Sequence, residues 1–187
     1  MKPPLLIGTG NPGKFREFSA ALSFHFECSP LPKDSPPAEE DAETYKENAL
    51  KKARHYFSGI PILTDDSGLE VDYLKGEPGV HSARYFGTIP WPERWALLLK
   101  SCPPGKRTAR FRSVLCYFDG GKPRFYEGVV EGEVVDPRGG HGFGYDPIFF
   151  CPALSKTFGE ATDQEKSLLS HRAIALKAFL TDVAGKR

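Results

Sequence analysis

Only 4 of the 187 residues are cysteine, at 28, 102, 116 and 151, and no two of them make a C-x-x-C pair. That spacing offers neither a zinc motif nor a thiol–disulfide motif, so the four read as reduced, mostly buried thiols. No apolar run approaches the ~18 residues of a membrane span. The stretch Met1–Ile7 is too short for a signal peptide, and a cytoplasmic protein is expected. An excess of one charge is missing too: 25 Lys and Arg against 24 Asp and Glu leave +1. Such a chain has no global field for nucleic acid or an anionic membrane surface, so neither is expected as a partner. No repeat, low-complexity tract or linker divides the sequence, and residues 1–187 are expected to form one domain with a substantial core.

One further absence is a single oxygen. Gly8-Thr9-Gly10-Asn11-Pro12-Gly13-Lys14-Phe15 fits the spacing G-x-x-x-x-G-K and then places Phe15 where a P-loop needs Ser or Thr to hold a metal ion. A Gly-rich turn feeding a helix N-terminus still suits an anion, with Lys14 as a point charge. The same residues also read as a plain strand-to-helix turn with a solvated lysine. If a metal-bound polyphosphate is the ligand, the metal must be held elsewhere.

What is present reads as mixed α/β. Leu5–Thr9 is a short apolar strand, and Lys14–Leu22 a helix with Phe15, Phe18 and Leu22 on one stripe. Ser29 to Asp41 is Pro- and acid-rich and reads as an exposed loop. From Thr44 to Phe57, Tyr45, Ala49, Ala53 and Phe57 recur every four residues, an amphipathic helix. Ile60–Thr64 is a buried strand, and Leu69–Tyr73 resumes extended structure. Pro92–Ser101 reads as a short helix, and Thr108–Phe118 with Arg124–Val135 as a hairpin around Asp119-Gly120-Gly121-Lys122. The last helix opens on a capping box, Thr162 with Glu165, and carries the stripe Leu169, Ala173, Leu176, Leu180 and Val183.

Several groups carry chemistry. Asp65-Asp66-Ser67-Gly68 follows an apolar strand, and both carboxylates face one site only if the chain turns at Gly68. A hard cation such as Mg²⁺ takes carboxylate oxygens together with substrate phosphates; an Asx-type turn is the plainer reading. Glu39-Glu40-Asp41 adds carboxylates in the loop, otherwise a solvated acidic patch. Phe143-Gly144-Tyr145-Asp146 offers close backbone approach and two aromatic faces, or a β-turn with core aromatics. Lys166 lies in the first turn of the last helix against the macrodipole, a place for a nearby anion unless Asp163 and Glu165 offset it. His171 and Arg172 are adjacent, about 100° apart on a helix, so at least one is expected to point off the apolar stripe, and either could donate to a carbonyl oxygen.

The chain resembles the inosine/xanthosine triphosphate pyrophosphatases, a family that hydrolyses non-standard purine nucleoside triphosphates. The motifs that carry the resemblance are Thr9–Lys14, Glu47-Asn48-Ala49 with Lys52-Ala53-Arg54, and Thr64–Asp72. Pro78-Gly79-Val80, Ser82–Tyr85, Gly142–Pro147, and Glu165-Lys166-Ser167 with Ser170-His171-Arg172 follow in register. The resemblance implies a long mixed sheet flanked by helices, two lobes with an active-site cleft between them, and a homodimer. It implies hydrolysis of ITP, dITP or XTP to the monophosphate and pyrophosphate with Mg²⁺. Thr9, Gly10, Asn11, Pro12, Gly13, Lys14 and Lys52 would hold phosphates, and Glu40 with Asp66 the metal. Asp66 would also accept the proton, while Ser67, Phe143, Gly144, Tyr145, Asp146, Lys166, His171 and Arg172 would contact substrate. A metal role for Glu39 or Asp65 stays open.

The chain departs from the family pattern at His81, where many relatives carry Tyr, and at Leu154-Ser155, where Glu-Gly is common. The segment Gly87–Pro103 is shorter, rich in Pro and Trp, and lacks the asparagine-bearing helix start often found there. Rival readings are a pyrophosphatase for modified pyrimidine or methylated nucleotides, a nucleotide sensor without catalysis, and an interaction module.

Overall fold

The computed structural model describes residues 1–184. Strand β1 (Pro4–Gly8) buries Leu5, Leu6 and Ile7 and leads into helix α1 (Pro12–Leu22). That helix begins ahead of its apolar stripe, because the fixed φ of Pro12 suits the first turn and Asn11 caps it. Strand β2 (Glu27–Pro30) takes the first residues of the expected loop; at the sheet edge its terminal proline interrupts no central ladder. Helix α2 (Tyr45–Tyr56) starts at Thr44, whose hydroxyl accepts the Glu47 N–H.

Strand β3 (Ile62–Val71) runs unbroken through Asp65, Asp66, Ser67 and Gly68, where a turn was the condition for a shared carboxylate site. Two contacts keep it extended. The Leu69 N–H donates to Ser82 Oγ at 2.8 Å, and a Cβ on Gly68 would collide with the Gly79 carbonyl. Gly68 therefore serves close packing of two backbones rather than a bend.

Helix α3 (Trp91–Ser101) is followed by β4 (Thr108–Phe118) and β5 (Arg124–Val134), neighbours joined across a turn in which Asp119 accepts the Gly121 N–H. Short strands β6 (Phe149–Cys151) and β7 (Lys156–Thr157) complete the sheet. The expected single last helix is two, α4 (Asp163–Leu169) and α5 (His171–Ala184). Ser170 breaks them: its backbone is extended, and its hydroxyl accepts the Ala173 N–H at 3.2 Å, the role of an N-cap.

Among the described residues the sheet has seven strands in the order β2-β1-β3-β4-β5-β6-β7. It is mixed: β1 is parallel to β2 and β3, and β6 is antiparallel to β5 and β7. The described chain divides into two compact units, the first made of Met1–Asp66, Ser113–Gly128 and residues 175–184, the second of Ser67–Arg112 and Val129–Ile174. In the first unit Leu5, Ile7, Leu63 and Leu115 pack against α1 and α5, while Leu6, Ile62 and Cys116 pack against α2. That alternation is the period of two of a strand, and it assigns each residue of β3 here to one helix layer or the other. The second unit has its own core of Leu69, Val71, Leu98, Phe111, Phe149 and Phe158.

Candidate functional site

In the first unit the residues expected to cradle phosphate sit at the start of α1. The Asn11 side chain accepts the N–H groups of Gly13 (2.8 Å) and Lys14 (3.2 Å), and the Asn11 N–H donates to Thr9 Oγ1 (3.2 Å). Those backbone donors are engaged within the turn. Open space lies beside Gly10, with nothing within 4 Å of where a Cβ would stand. Lys14 Nζ lies 2.5 Å from Asp65 Oδ2, and Asp65 Oδ1 accepts the Ser113 hydroxyl. Phe15 packs, partly buried, against the core beside α1.

Asp66 points the other way, toward α2. Its Oδ1 lies 3.3 Å from Lys52 Nζ and its Oδ2 accepts from Asn48 Nδ2 at 3.1 Å. Lys52 also reaches Glu40 Oε1 at 3.1 Å, so a single ammonium joins the loop carboxylate to the strand carboxylate. Asn48 holds the loop from the other side: it accepts the Ala42 N–H (3.0 Å) and donates to the Ala42 carbonyl (3.3 Å). Burial pushes the Asp66 carboxyl above its ordinary value, and the nearby ammoniums of Lys52 and Lys14 only partly offset this. Burial also disfavours the charge on Lys52, but the carboxylates of Asp66, Glu40 and Asp65 outweigh it and hold that lysine protonated.

The structure brings Glu40, Lys52 and Asp66 together as expected and places Asp65 with Lys14 instead. Asn48 was not among the expected site residues. A signal for it exists in the sequence: Asn48 and Lys52 are four apart on α2, each one position before a core alanine (Ala49, Ala53), and both are buried. Buried polar residues at that spacing share a helix face and need partners.

The second unit gathers the remaining expected residues. Asp146 Oδ2 accepts the Phe143 N–H and the Lys166 ammonium, both at 2.7 Å. Lys166 Nζ lies 4.8 Å from the centre of the Phe143 ring and the Arg172 guanidinium 5.1 Å from it, within cation–π range. Arg172 donates to Ser67 Oγ at 2.9 Å, and the His171 ring stacks on Phe111 at 4.7 Å. Both His171 and Arg172 are buried. Of the two aromatics expected as stacking faces, Phe143 is half-buried. Tyr145 lies in the core, its ring against Trp91, and burial pushes its hydroxyl up to about 12. Its side chain is therefore part of the loop's foundation.

An α/β protein with this mixed sheet carries two clusters: one joins carboxylates through a buried ammonium, the other sets cations over an aromatic ring. The Ham1 family model matches residues 5–182, and the chain belongs to the Ham1 family. A dITP/XTP pyrophosphatase of Yersinia pestis is 43% identical over 190 residues, covering 94% of this chain and 95% of that protein. One from Thermus thermophilus is 45% identical over 192 residues, covering 94% and 89%. Among solved structures, a HAM1 protein from Coxiella burnetii superposes with a TM-score of 0.88 at 35% identity, covering 98% of this chain and 99% of that one. Among the described residues no helix is long and apolar enough to cross a membrane.

Proposed function

We propose that this chain hydrolyses non-canonical purine nucleoside triphosphates (ITP, dITP and XTP) to the monophosphate and pyrophosphate, clearing them from the nucleotide pool. The observation that carries the reading is the Lys52 ammonium held between Glu40 and Asp66, in a chain whose relatives are named dITP/XTP pyrophosphatases. We further read residues 1–187 as one catalytic domain, acting as a cytoplasmic homodimer; residues 185–187 lie outside those described.

The carboxylate pair fits Mg²⁺. Mg²⁺ is commonly bound through one or two carboxylates, substrate phosphates and retained waters. Among the described residues no group of three or more His, Cys, Asp or Glu is placed to hold a metal, so the shell would be completed by substrate and water. Asp66, buried on β3, and Glu40, on the more exposed loop, would hold the ion. When bound, it supplies positive charge for the phosphoryl oxygens and lowers the pKa of a water molecule.

The chain's own residues would do the rest. Lys14 and Lys52 exchange part of their pairing with Asp65, Asp66 and Glu40 for phosphate oxygens, neutralising charge as it shifts toward the leaving pyrophosphate. Thr9–Gly13 pass the phosphate chain beside the open face of Gly10. Asp66, with its carboxyl raised by burial, accepts the proton of the attacking water more readily than an exposed aspartate. The water forms a bond to the α-phosphorus as the bond to the bridging oxygen of pyrophosphate breaks. Ser67, Phe143–Asp146, Lys166, His171 and Arg172 would bind the nucleoside, rewarding a 6-oxo purine over a 6-amino one.

The test is a substrate panel with Mg²⁺ in which pyrophosphate and orthophosphate are scored separately. Pyrophosphate from ITP and XTP, well above that from ATP, GTP and modified pyrimidine triphosphates, is expected. Orthophosphate as the product would mean cleavage at the γ-phosphate and overturn the reaction. Tight ITP binding without turnover would make the chain a sensor.

A further inference from the structure

Helix α3 lies in the Gly87–Pro103 segment, and it grips the Gly142–Asp146 loop. Trp95 Nε1–H donates to the Gly144 carbonyl at 2.9 Å. Trp91, four residues earlier and so on the same helix face, sets its ring edge-on to Tyr145, centroids 5.0 Å apart at 81°. The Trp91 ring would also lie 3.6 Å from a Cβ at Gly144. The helix is itself tied down. The Arg94 guanidinium sits 4.6 Å from the centre of the Trp91 ring and donates to the carbonyls of Ile89 and Ala83, both at 2.7 Å, while Leu98 is fully buried.

A trans peptide carries its C=O and the following N–H on opposite sides. By holding the Gly144 carbonyl toward α3, Trp95 turns the Tyr145 N–H away from α3. Gly144 stands at φ 65°, in the left-handed region, and has no side chain to resist rotation of that peptide. Rotation would present an acceptor where a donor had been. Purines differ in the same sense at position 6: hypoxanthine and xanthine carry an oxygen acceptor, adenine an amino donor.

We propose that Trp95 is a specificity-positioning residue, whose indole N–H locks the Gly144–Tyr145 peptide so that the loop offers the base a donor at position 6. The inference rests on the functional reading above, which makes this loop the base site. It also gives a role to the divergent Gly87–Pro103 segment, whose tryptophans hold the loop that reads the purine.

The test compares kcat/KM for ITP and ATP in wild type and Trp95→Phe, which keeps an aromatic ring and loses the N–H. The ITP-to-ATP ratio is expected to fall by about three- to tenfold, the worth of one net hydrogen bond, with a melting temperature close to wild type. If Trp95→Phe does not fold, benzothienylalanine at position 95 replaces the N–H by sulfur in nearly the same shape and is read in the same way. A merely structural weakening lowers both substrates together, so an unchanged ratio in a folded variant overturns the proposal. Wild type that releases no pyrophosphate from ITP would instead overturn the functional reading, and this is known before the variants are compared.

Discussion

Asp65 and Asp66 are neighbours in the chain and work on opposite faces of β3. Asp65 shares the layer of α1 with Lys14, and Asp66 shares that of α2 with Asn48 and Lys52. A carboxylate pair adjacent in sequence is thus split, and the pair that meets at one ammonium, Glu40 and Asp66, is 26 residues apart. Asp66→Asn keeps the shape and the Asn48 contact region but removes the charge and the proton acceptor. Breaking a buried ion pair costs about 3–5 kcal/mol when the partner is stranded; here Lys52 retains Glu40, so the loss of stability is expected to be smaller. The variant is expected to melt within several degrees of wild type while kcat for ITP falls by about a hundredfold or more. Pyrophosphate release and a thermal melt check both halves, and an unchanged kcat in Mg²⁺ would remove Asp66 from catalysis. Lys14 and the Asp65–Asp66 pair stand out from motif spacing, and Lys52 through the family resemblance. The partner of each was not legible, since strand alternation assigns a face only once the strand's extent is known.

At the scale of elements, helices with local end signals were the most legible. Thr44 caps α2, Pro92 lies in the first turn of α3, and Thr162 with Glu165 forms the capping box of α4. Glu165 accepts the Thr162 N–H at 2.9 Å and pairs with Lys156 at 2.6 Å, and these contacts bring its carboxyl down to about 2. A carboxyl depressed on folding stabilises the native state in full above its unfolded value of about 4.5, and this is lost as pH falls through about 2. Glu165→Gln is therefore expected to be less stable than wild type at pH 7, with the gap closing between about pH 4.5 and 2. Urea midpoints at several pH values measure that gap; a constant difference across the window would show that the cap does not depend on the charge. Elements formed by pairing were less legible. β2 and β7 are four and two residues long, too short for a periodic signal, and exist because a neighbouring strand accepts them. The break at Ser170 was hidden because the apolar stripe continues across it.

On the scale of the whole molecule, the thiols report packing. Cys102, Cys116 and Cys151 are buried and Cys28 is partly so, and burial pushes Cys116 up to about 12. A thiol in that state forms little thiolate at pH 8. Native protein is expected to react slowly and through Cys28 with a thiol-specific disulfide reagent, whereas all four react at once in guanidinium. Fast labelling of more than one thiol in the native protein would mean that a core opens far more often than its burial implies.

The sequence by itself determined family membership, the caps of α2 and α4, and the two strands β4 and β5 with the turn between them. These follow from local spacing, which capping, periodicity and motif order express directly. Only the tertiary structure decided the partnerships. Arg172 meets Ser67 across 105 residues, Ser82 keeps β3 straight through Gly68, and Trp95 takes hold of Gly144 from a helix 49 residues away in the chain. Such contacts depend on how the sheet orders its strands and which face each side chain takes, and no spacing along the chain encodes either.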